Sequence, residues 1–308
     1  MKPIRIAIVG LGKVAHDQHV PAILANPDLE IAATASADGA SIDGIPSYAS
    51  LDALLAATLD VDAVALCTPP QVRYALATTA ITRGLHVFLE KPPVATIGEA
   101  GALAEQAGAA GVTLFAAWHS RFASGVEPAK AWLADRKIRR TTVTWREDVR
   151  TWHPGQAWIW RTGGFGVFDP GINALSILTH ILPGPIAFAA AELEIPANRE
   201  APIAARLALH DAAGAAIAVD FDWRQIGSET WDIAVETDAG TLLLSRGGSV
   251  LAWPDGMVEA ADREYPAMYA HFAALVRGKN SNFDVEPLRL VVEALQDGTV
   301  IATDRFDD

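Results

Sequence analysis

Residues 4–15, IRIAIVGLGKVA, decide the fold of the first part of the chain. The stretch opens with an apolar run of strand length, as expected of a buried parallel strand. Gly10 then permits a tight turn, Gly12 lets the backbone approach a pyrophosphate, and Ala15 lets the following helix pack closely. This order of strand, glycine turn and helix predicts a dinucleotide-binding fold.

The segments after the glycine turn complete the predicted nucleotide-binding unit. A helix is expected to about Asn26, and the strand LEIAATAS follows it, so that strand, helix and strand have the expected spacing. Lys13 and Val14 fall at the start of this helix and are candidate cofactor contacts together with the glycines. The alternative, a glycine turn without a ligand, stays open at this point.

The end of the second strand bears on the choice of cofactor, because this fold often places an acidic residue there to hold the ribose hydroxyls of NAD. This chain has Ser36 and Ala37 at that place, with Asp38 just beyond. Ser36 carries no charge and would not repel a 2′-phosphate, whereas no arginine is present to bind one and Asp38 would oppose it if it points inward. NADP is therefore slightly favoured, and NAD stays open.

Two later strand ends supply further candidates. The strand VDAVALCTPP ends with Thr68 and Pro69, and the strand LHVFLEKPP ends with Glu90 and Lys91. Ligands of open parallel sheets bind beyond the carboxyl ends of the strands, so these four residues are candidate cofactor contacts. Lys91 is also a catalytic candidate. The alternative is a simple edge ion pair between Glu90 and Lys91.

Composition limits the classes of partner. The 308 residues carry 24 Lys and Arg against 37 Asp and Glu, a formal net charge of −13, and a nucleic acid partner is not expected without a clustered basic face. The lone Cys67 fits a reducing compartment, and a core position is favoured over a nucleophile. No signal-peptide pattern and no apolar run of about 20 residues is present, which predicts a cytoplasmic protein without membrane contact.

The pattern of the chain changes near residue 122. The segment VEPAKAWLADR is helix-like, and alternating segments from Thr141 predict strands separated by glycine-containing turns. The tail from Tyr265 becomes helical again. We therefore predict an α/β protein, with a doubly wound parallel sheet at residues 1–120 and an α+β domain with a large open, mainly antiparallel sheet at residues 121–308. The C-terminal helices are expected to pack back on the first domain.

Residues 163–176, GGFGVFDPGINALS, place Asp169 and Asn173 four positions apart. Proline favours the first helical position and aspartate the cap before it, so Asp169 can be interpreted as an N-cap and Asn173 as a residue one turn later. The other interpretation is that this turn presents a carboxylate and an amide to one substrate. Both interpretations stay open on this stretch alone.

Taken together, VGLGKVA, CTPP, the EKP at residues 90–92 and GGFGVFDPGIN resemble the Gfo/Idh/MocA oxidoreductases. The resemblance spans the first half of the chain and reaches into the second. It implies a Rossmann domain and an α/β domain whose open sheet carries the substrate and often makes the subunit contact, so a homo-oligomer through this sheet is expected. Within the family, WHSRFASGVEPAKAWL and FDPGINALSI are most similar to the aldose 1-dehydrogenases, which oxidise L-arabinose or D-galactose at C1.

An aromatic segment at residues 145–161 fits a sugar substrate, although tryptophans more often belong to a core. Sugar rings present C–H faces to aromatic rings and hydroxyls to fixed polar groups, and this segment interleaves the two kinds of side chain. The candidate substrate contacts are His119, Glu147, Trp152, His153 and Trp231. The alternative for His153 is a turn residue in HPGQ.

The resemblance also implies roles in an NAD(P)-dependent oxidation of an aldopyranose to its lactone, without a metal. Asp169 is the leading general base, and Lys91 would bind the C1 oxygen and lower the pKa of its proton; a neutral Lys91 acting as base is the rival assignment. Many relatives carry a proton-transferring histidine where Asn173 stands. An amide has no titratable proton near neutral pH, so Asn173 is expected to orient the hydroxyl instead.

Two other functions stay open. One is another dehydrogenase of the same family, acting on inositol, glucose or a diol. The other is a non-catalytic NAD(P)-binding sugar sensor, which the presence of Lys91 and Asp169 disfavours because binding alone needs no proton acceptor. The sequence does not rank the two aldoses, and it does not decide between a 1,4- and a 1,5-lactone.

Overall fold

The computed structural model describes residues 2–57 and 60–307, and the chain divides into two compact units. Unit 1 comprises Met1–His119 and Glu264–Val285, and unit 2 comprises Ser120–Arg263 and Glu286–Asp308. The first crossing between the units therefore falls beside the domain boundary predicted after residue 120. The outer ends of the two predicted domains, residues 1 and 308, lie outside the described residues.

Within the described residues, unit 1 is built on a six-stranded parallel sheet. Its strands are β1 (Ile4–Val9), β2 (Leu29–Ala35), β3 (Ser47–Tyr48), β4 (Ala63–Leu66), β5 (His86–Glu90) and β6 (Leu114–Ala117). They lie in the order β3-β2-β1-β4-β5-β6, and each neighbouring pair is parallel. The strand order reverses between β1 and β4, the place where such sheets bind their ligands. This sheet confirms the predicted doubly wound fold.

Unit 2 contains a nine-stranded mixed sheet among its described residues. Its strands are β7 (Ile138–Arg146), β8 (Ala187–Pro196), β9 (Ala204–His210), β10 (Ala216–Asp222), β11 (Thr230–Thr237), β12 (Gly240–Ser245), β13 (Val250–Trp253), β14 (Gly256–Glu259) and β15 (Thr299–Thr303). The order is β14-β13-β12-β11-β7-β10-β9-β8-β15. Only β7 with β10 and β8 with β15 pair in parallel among these strands, which confirms the predicted, mainly antiparallel sheet.

The helices begin with a capping side chain in some cases, such as Ser50, Thr96 and Asp148, and without one in others. In chain order they are α1 (Val20–Leu24), α2 (Leu51–Ala56), α3 (Pro70–Thr82), α4 (Ile97–Ala110), α5 (Val126–Leu133), α6 (Val149–Trp152), α7 (Phe168–Ile181), α8 (Glu264–Gly278) and α9 (Glu286–Asp297). A π-helical turn at Ala15–His19 precedes α1, which ends at Leu24, close to the expected end near Asn26. Among the described residues, no helix is both long and apolar enough to cross a bilayer.

The chain after residue 264 differs from the helical tail that the sequence pattern predicts. Helix α8 belongs to unit 1, whereas α9 belongs to unit 2. The strand β15 follows α9 and pairs with β8 at the edge of the sheet of unit 2. Its five residues are too few to show a reliable alternation, and their backbone hydrogen bonds come from a strand about a hundred residues earlier.

A glycine lets α7 lie directly on the sheet of unit 2. A Cβ added at Gly171 would lie 2.6 Å from the ring of Phe221 in β10, so only glycine fits at this approach. Phe221 is fully buried, and its ring meets that of Phe168 edge to face at 5.9 Å. The first turn of α7, which carries Asp169 and leads to Asn173, is therefore fixed against the sheet.

Candidate active site

The glycine turn of unit 1 fits the predicted dinucleotide. Gly10 has a left-handed φ of +89°, and a Cβ there would lie 2.8 Å from the backbone nitrogen of Thr68. At Gly12, by contrast, a Cβ would meet nothing within 4 Å, so the backbone is open to a ligand. Ala15 is fully buried, as close packing of the helix requires. The buried hydroxyl of Thr68 has no hydrogen-bond partner among the described residues and supplies one more polar group at this strand end.

The other predicted cofactor contacts at this edge are exposed. Lys13 and Val14 lie on the surface just after the glycines, where Lys13 pairs with Asp17 one turn later. Pro69 is exposed at the residue before α3. These side chains are accessible to a ligand, and their contact with a cofactor stays a prediction.

The end of β2 presents a carboxylate beside the predicted ribose position. The hydroxyl of Ser36 accepts a hydrogen bond from the backbone N–H of Leu11 at 3.2 Å and donates one to Asp38 at 2.7 Å. The hydrogen bond from Ser36 lowers the pKa of Asp38, so this exposed side chain is ionised near neutral pH. Ala37, between them, is exposed. A negative charge at this place weighs against the slight preference for NADP that the uncharged Ser36 suggested.

Glu90, the residue before Lys91, lies in a buried cluster of polar side chains. Its Oε1 accepts a hydrogen bond from the hydroxyl of Tyr265 at 2.8 Å and lies 3.1 Å from Nε2 of His19. Its Oε2 accepts the backbone N–H of Lys91 at 2.7 Å. The other ring nitrogen of His19 lies 2.7 Å from the hydroxyl of Tyr269. These contacts of the carboxylate are made within unit 1, and a direct contact of Glu90 with the cofactor stays a prediction.

The neighbours of His19 and Glu90 favour the charged form of both groups. Burial alone would lower the pKa of His19, but the neighbouring Cys67 and Glu90 raise it to about 10. Burial alone would raise the pKa of Glu90, but the hydrogen bond and charge of His19 lower it to about 2. Cys67 was expected in the core; it lies half-buried just after β4, with its Sγ 3.6 Å from Nδ1 of His19.

Lys91 and His119 both lie in unit 1, beyond the ends of neighbouring strands. Lys91 is half-buried directly after β5 and is followed by a cis peptide bond to Pro92. His119 was predicted at a strand end and lies two residues beyond β6, in the turn His119–Phe122. Its Nδ1 lies 2.5 Å from a carboxylate oxygen of Glu264, and its ring stacks on Tyr265 at 5.3 Å.

Unit 2 brings two other predicted site residues, Trp231 and His153, to Glu147. Oε1 of Glu147 accepts the indole N–H of Trp223 at 3.3 Å, and Oε2 accepts that of Trp231 at 2.9 Å. Glu147 follows β7 and is only 3% exposed. Strand alternation places Trp145 on the same buried side, whereas Arg146 between them pairs with Asp220.

His153 lies between two carboxylates. Its Nε2 is 3.6 Å from Oε1 of Glu147 and 3.7 Å from Oδ2 of Asp169. These separations exceed hydrogen-bond length, and the buried Nδ1 has no hydrogen-bond partner among the described residues. His153 is the C-cap directly after α6, and its ring packs against Trp223 at 5.2 Å. The alternative interpretation of His153 as a turn residue in HPGQ also holds, because its carbonyl oxygen accepts the backbone N–H of Gln156 at 3.3 Å. Its imidazole still has hydrogen-bonding capacity left for a ligand.

The tryptophans of the aromatic segment divide into core and surface. Trp145 and Trp160 are buried, whereas Trp152 is 44% exposed and its ring lies 5.1 Å from that of Trp231. Trp145 stacks on Trp231 from the neighbouring strand at 5.7 Å. Trp231 also lines an open groove whose other walls are Ser228, Glu229, Thr230, Asp232 and Arg246. The exposed Trp152 offers the aromatic surface that a sugar face requires.

The structure contradicts the interpretation of Asp169 as a helix cap. The capping position of α7 is taken by Val167, and Asp169 is the second residue of the helix. Its side chain is buried and is one of the two carboxylates beside His153. Asn173 lies one turn later and is half-buried, so both side chains project from the same face of α7. A negative charge in the first turn is also favourable to the helix dipole.

Several side chains of these clusters were not recognised in the sequence. They are His19, Trp223, Tyr265 and Tyr269. Most of them reach their partners over long sequence distances, such as the 250 residues between His19 and Tyr269. Trp223 stood in a recognised strand segment, DFDWR, where a tryptophan next to charged residues was the one available signal. Within residues 2–57 and 60–307, no three His, Cys, Asp or Glu side chains are arranged to hold a metal ion.

Comparisons with known proteins agree with this arrangement. A model of the GFO_IDH_MocA oxidoreductase family, with an NAD-binding Rossmann fold, matches residues 4–118. The galactose 1-dehydrogenase of Pseudomonas fluorescens is 44% identical over 312 residues, which cover 100% of both chains. The crystal structure of a D-galactose-1-dehydrogenase from Rhizobium etli matches with a TM-score of 0.95 at 49% identity, over 100% of this chain and 99% of that one.

A more distant structure shows the same fold. A 3-ketoreductase from Actinomadura kijaniata, in complex with NADP and TDP-benzene, matches with a TM-score of 0.85 at 20% identity, over 98% of this chain and 100% of that one. At this identity the likeness concerns the fold alone. The full-length similarity at 44% identity establishes the family as well. The chain belongs to the Gfo/Idh/MocA family of oxidoreductases, with an NAD-binding Rossmann fold.

Proposed function

We propose that this protein oxidises an aldopyranose at C1 to the aldonolactone, with D-galactose and L-arabinose as substrates. The observation that carries the proposal is the full-length similarity, at 44% and 49% identity, to two proteins known as galactose 1-dehydrogenases. L-Arabinose is included because its pyranose form shares the ring stereochemistry of D-galactose and lacks only the C6 hydroxymethyl group. A pocket tolerates a missing group more readily than a lost hydrogen-bonded hydroxyl.

The proton of the C1 hydroxyl has an acceptor in Asp169. Its carboxylate lies in the first turn of α7, a helix fixed on the sheet, and such a fixed carboxylate can act as a general base. Lys91 binds the C1 oxygen and lowers the pKa of the departing proton; a neutral Lys91 acting as base is the rival assignment. Asn173 orients the hydroxyl by donating and accepting hydrogen bonds. A bound nicotinamide supplies the hydride acceptor.

The other sugar hydroxyls are assigned to the cluster around Glu147. Two indole N–H groups hold this carboxylate in one orientation, so it is a fixed acceptor for a hydroxyl. His153 supplies the neighbouring polar group, and the rings of Trp152 and Trp231 cover the C–H face of the sugar. His119 is proposed as a further substrate contact from unit 1.

The cofactor is proposed to be NAD or NADP, bound at the carboxyl edge of the parallel sheet. Gly10 and Gly12 would hold its pyrophosphate, with Lys13, Val14, Thr68 and Pro69 around it. The ribose would lie near Ser36 and Ala37. The carboxylate of Asp38 beside Ser36 would repel a 2′-phosphate, which supports NAD as the better substrate of the two.

We also propose a homo-oligomer through the open face of the nine-stranded sheet. In β9 from Arg206 and in β10 from Ala216, exposed or half-buried residues alternate with buried ones, so one face of these central strands is largely uncovered within the described residues. At the edge of the same sheet, the side chains of Val300 and Ile301 in β15 are exposed apolar groups. A second copy of the chain would cover such a face.

A screen of aldoses with NAD and with NADP, followed by absorbance of the reduced nicotinamide, tests the proposed function. We expect turnover with D-galactose and L-arabinose, and little with D-glucose or inositol. Turnover with inositol and not with an aldose would point to another reaction of the same family. Cofactor and sugar binding without any turnover would instead indicate a sensor.

A further inference from the structure

Arg73 in α3 is buried and bonds to the backbone around Lys91. It is only 4% exposed, and its Nε donates to the carbonyl oxygen of Thr68 at 2.6 Å. Its Nη1 donates to the carbonyl oxygens of Glu90 and Pro92. One guanidinium thus connects the carboxyl ends of β4 and β5, the two strand ends proposed to hold cofactor and catalytic lysine.

The backbone of Lys91 is held from both sides as a result. Its N–H donates to the carboxylate of Glu90, and the carbonyl groups of the residues before and after it accept from Arg73. Both charged groups are buried, so they lose hydration unless they form such hydrogen bonds. A guanidinium presents its N–H donors from three nitrogens in a rigid plane, whereas the three donors of a lysine rotate about one nitrogen.

We infer that Arg73 is a positioning residue for the reaction and acts through Lys91. This inference rests on the proposed catalytic role of Lys91. The guanidinium fixes the direction in which the Lys91 side chain leaves the strand end, and a catalytic group displaced by about 1 Å loses about 100-fold in rate. A merely structural Arg73 would change stability without a specific link to Lys91.

A double-mutant cycle separates these two roles. The variants are Arg73→Met, Lys91→Met and the double variant, with Arg83→Met as the control because Arg83 is an exposed arginine just after the same helix. Each is measured for kcat and KM with D-galactose, for cofactor affinity by fluorescence, and for Tm. Arg73→Lys, which retains the buried charge, replaces Arg73→Met if the latter does not fold.

We expect Arg73→Met to lower kcat by about 10-fold or more in the wild-type background and by less than about 2-fold when Lys91 is already Met. Cofactor affinity should change little, and Arg83→Met should resemble the wild type. An equal loss of kcat in both backgrounds, or an unchanged kcat in Arg73→Met, would overturn the inference. The proposed role of Lys91 fails separately, if Lys91→Met alone retains wild-type kcat.

Discussion

Each unit of this protein buries a glutamate beside a histidine, and the two pairs are built differently. In unit 1, Glu90 and His19 are 3.1 Å apart, and their side chains are 4% and 0% exposed. In unit 2, Glu147 and His153 are 3.6 Å apart, and the His153 side chain is 15% exposed, with a second carboxylate, that of Asp169, at 3.7 Å. In the first pair both ring nitrogens of His19 have protein partners, whereas in the second pair Nδ1 of His153 has no hydrogen-bond partner among the described residues.

This difference distinguishes Glu90, which stabilises the fold, from His153, which can bind a ligand. Glu90 has its two oxygens bonded to His19, Tyr265 and the Lys91 backbone, so a change of its charge must disturb the protein itself. His153 has no comparably short contact to either carboxylate. Buried pairs of the first kind are costly to break, and polar groups of the second kind commonly mark binding sites.

The largest effect should come from Asp169→Asn in unit 2. This substitution preserves size and removes the proton acceptor, so we expect kcat to fall by at least about 100-fold. Tm should fall only slightly, because the capping position belongs to Val167 and only the favourable charge in the first turn is lost, and cofactor affinity should stay close to that of the wild type. Steady-state kinetics and thermal unfolding on one preparation check both points. A wild-type kcat would transfer the base to Lys91 or to water.

Replacement of each buried glutamate, Glu90 and Glu147, by glutamine tests whether the first pair stabilises the fold and the second binds a ligand. Glu90→Gln should lower the free energy of unfolding by about 2 kcal/mol, since it leaves His19 without its ionic partner in the interior. Glu147→Gln should destabilise the protein less and raise KM for the sugar by about 10-fold, the effect of one lost hydrogen bond to a charged group. Denaturant unfolding and sugar kinetics measure the two effects. Equal stability losses with unchanged KM would remove the distinction between the pairs.

The stability of the protein should depend on pH through the shifted pKa values of His19 and Glu90 in unit 1. The raised pKa of His19, about 10 against an ordinary 6.5, means that its contribution is complete below pH 6.5 and is lost as the pH rises towards 10. The lowered pKa of Glu90, about 2 against 4.5, means that its contribution is complete above pH 4.5 and is lost as the pH falls towards 2. Both groups therefore contribute fully to the stability of the fold only between pH 4.5 and pH 6.5.

Between pH 6.5 and 10, the free energy of unfolding of the wild type should therefore fall by at least about 1 kcal/mol more than that of His19→Gln. Unfolding curves at several pH values measure this difference, and His153→Gln serves as the matched control from unit 2. Parallel curves for the wild type and His19→Gln would show that His19 is not held as a cation.

The smallest expected effect is a change of cofactor preference, caused by a substitution at the exposed end of β2 in unit 1. Ala37→Arg should improve the ratio of kcat/KM for NADP to that for NAD by roughly 10-fold, because a guanidinium pairs with a 2′-phosphate. Asp38 remains as an opposing charge in this variant, which limits the gain. Kinetics with both cofactors and saturating sugar measure the ratio. An unchanged ratio would mean that the ribose does not lie at this strand end.

Local patterns were sufficient to predict the sheet of unit 1 and the main character of unit 2. The glycine turn and the apolar strands are encoded in consecutive residues, so IRIAIVGLGKVA specifies its own conformation. The aromatic segment likewise marked Glu147 and His153 as candidates, although no local pattern gives their separation. Distances of 3.6 Å depend on how β7, α6 and α7 pack together.

The residues that were missed depend on contacts between distant parts of the chain. Arg73 stood in a helix whose sequence gives no sign that its guanidinium reaches the next strand end, 17 and 19 residues further on. The cap interpretation of Asp169 was wrong because the preceding turn, with positive φ angles at Gly163, Phe165 and Gly166, allows the helix to begin before Pro170. Proline fits any position of the first turn, so it does not by itself mark the start.

Transfer of deuterium from labelled D-galactose tests the proposed oxidation at C1 most directly. The protein is incubated with D-galactose labelled at C1 or, as a control, at C3, and the reduced nicotinamide is analysed by mass spectrometry. We expect the C1 label alone to appear in the reduced cofactor, together with a slower hydride-transfer step in single-turnover experiments. Reduced cofactor that carries the C3 label, while the C1 label stays in the sugar product, would contradict the proposed reaction.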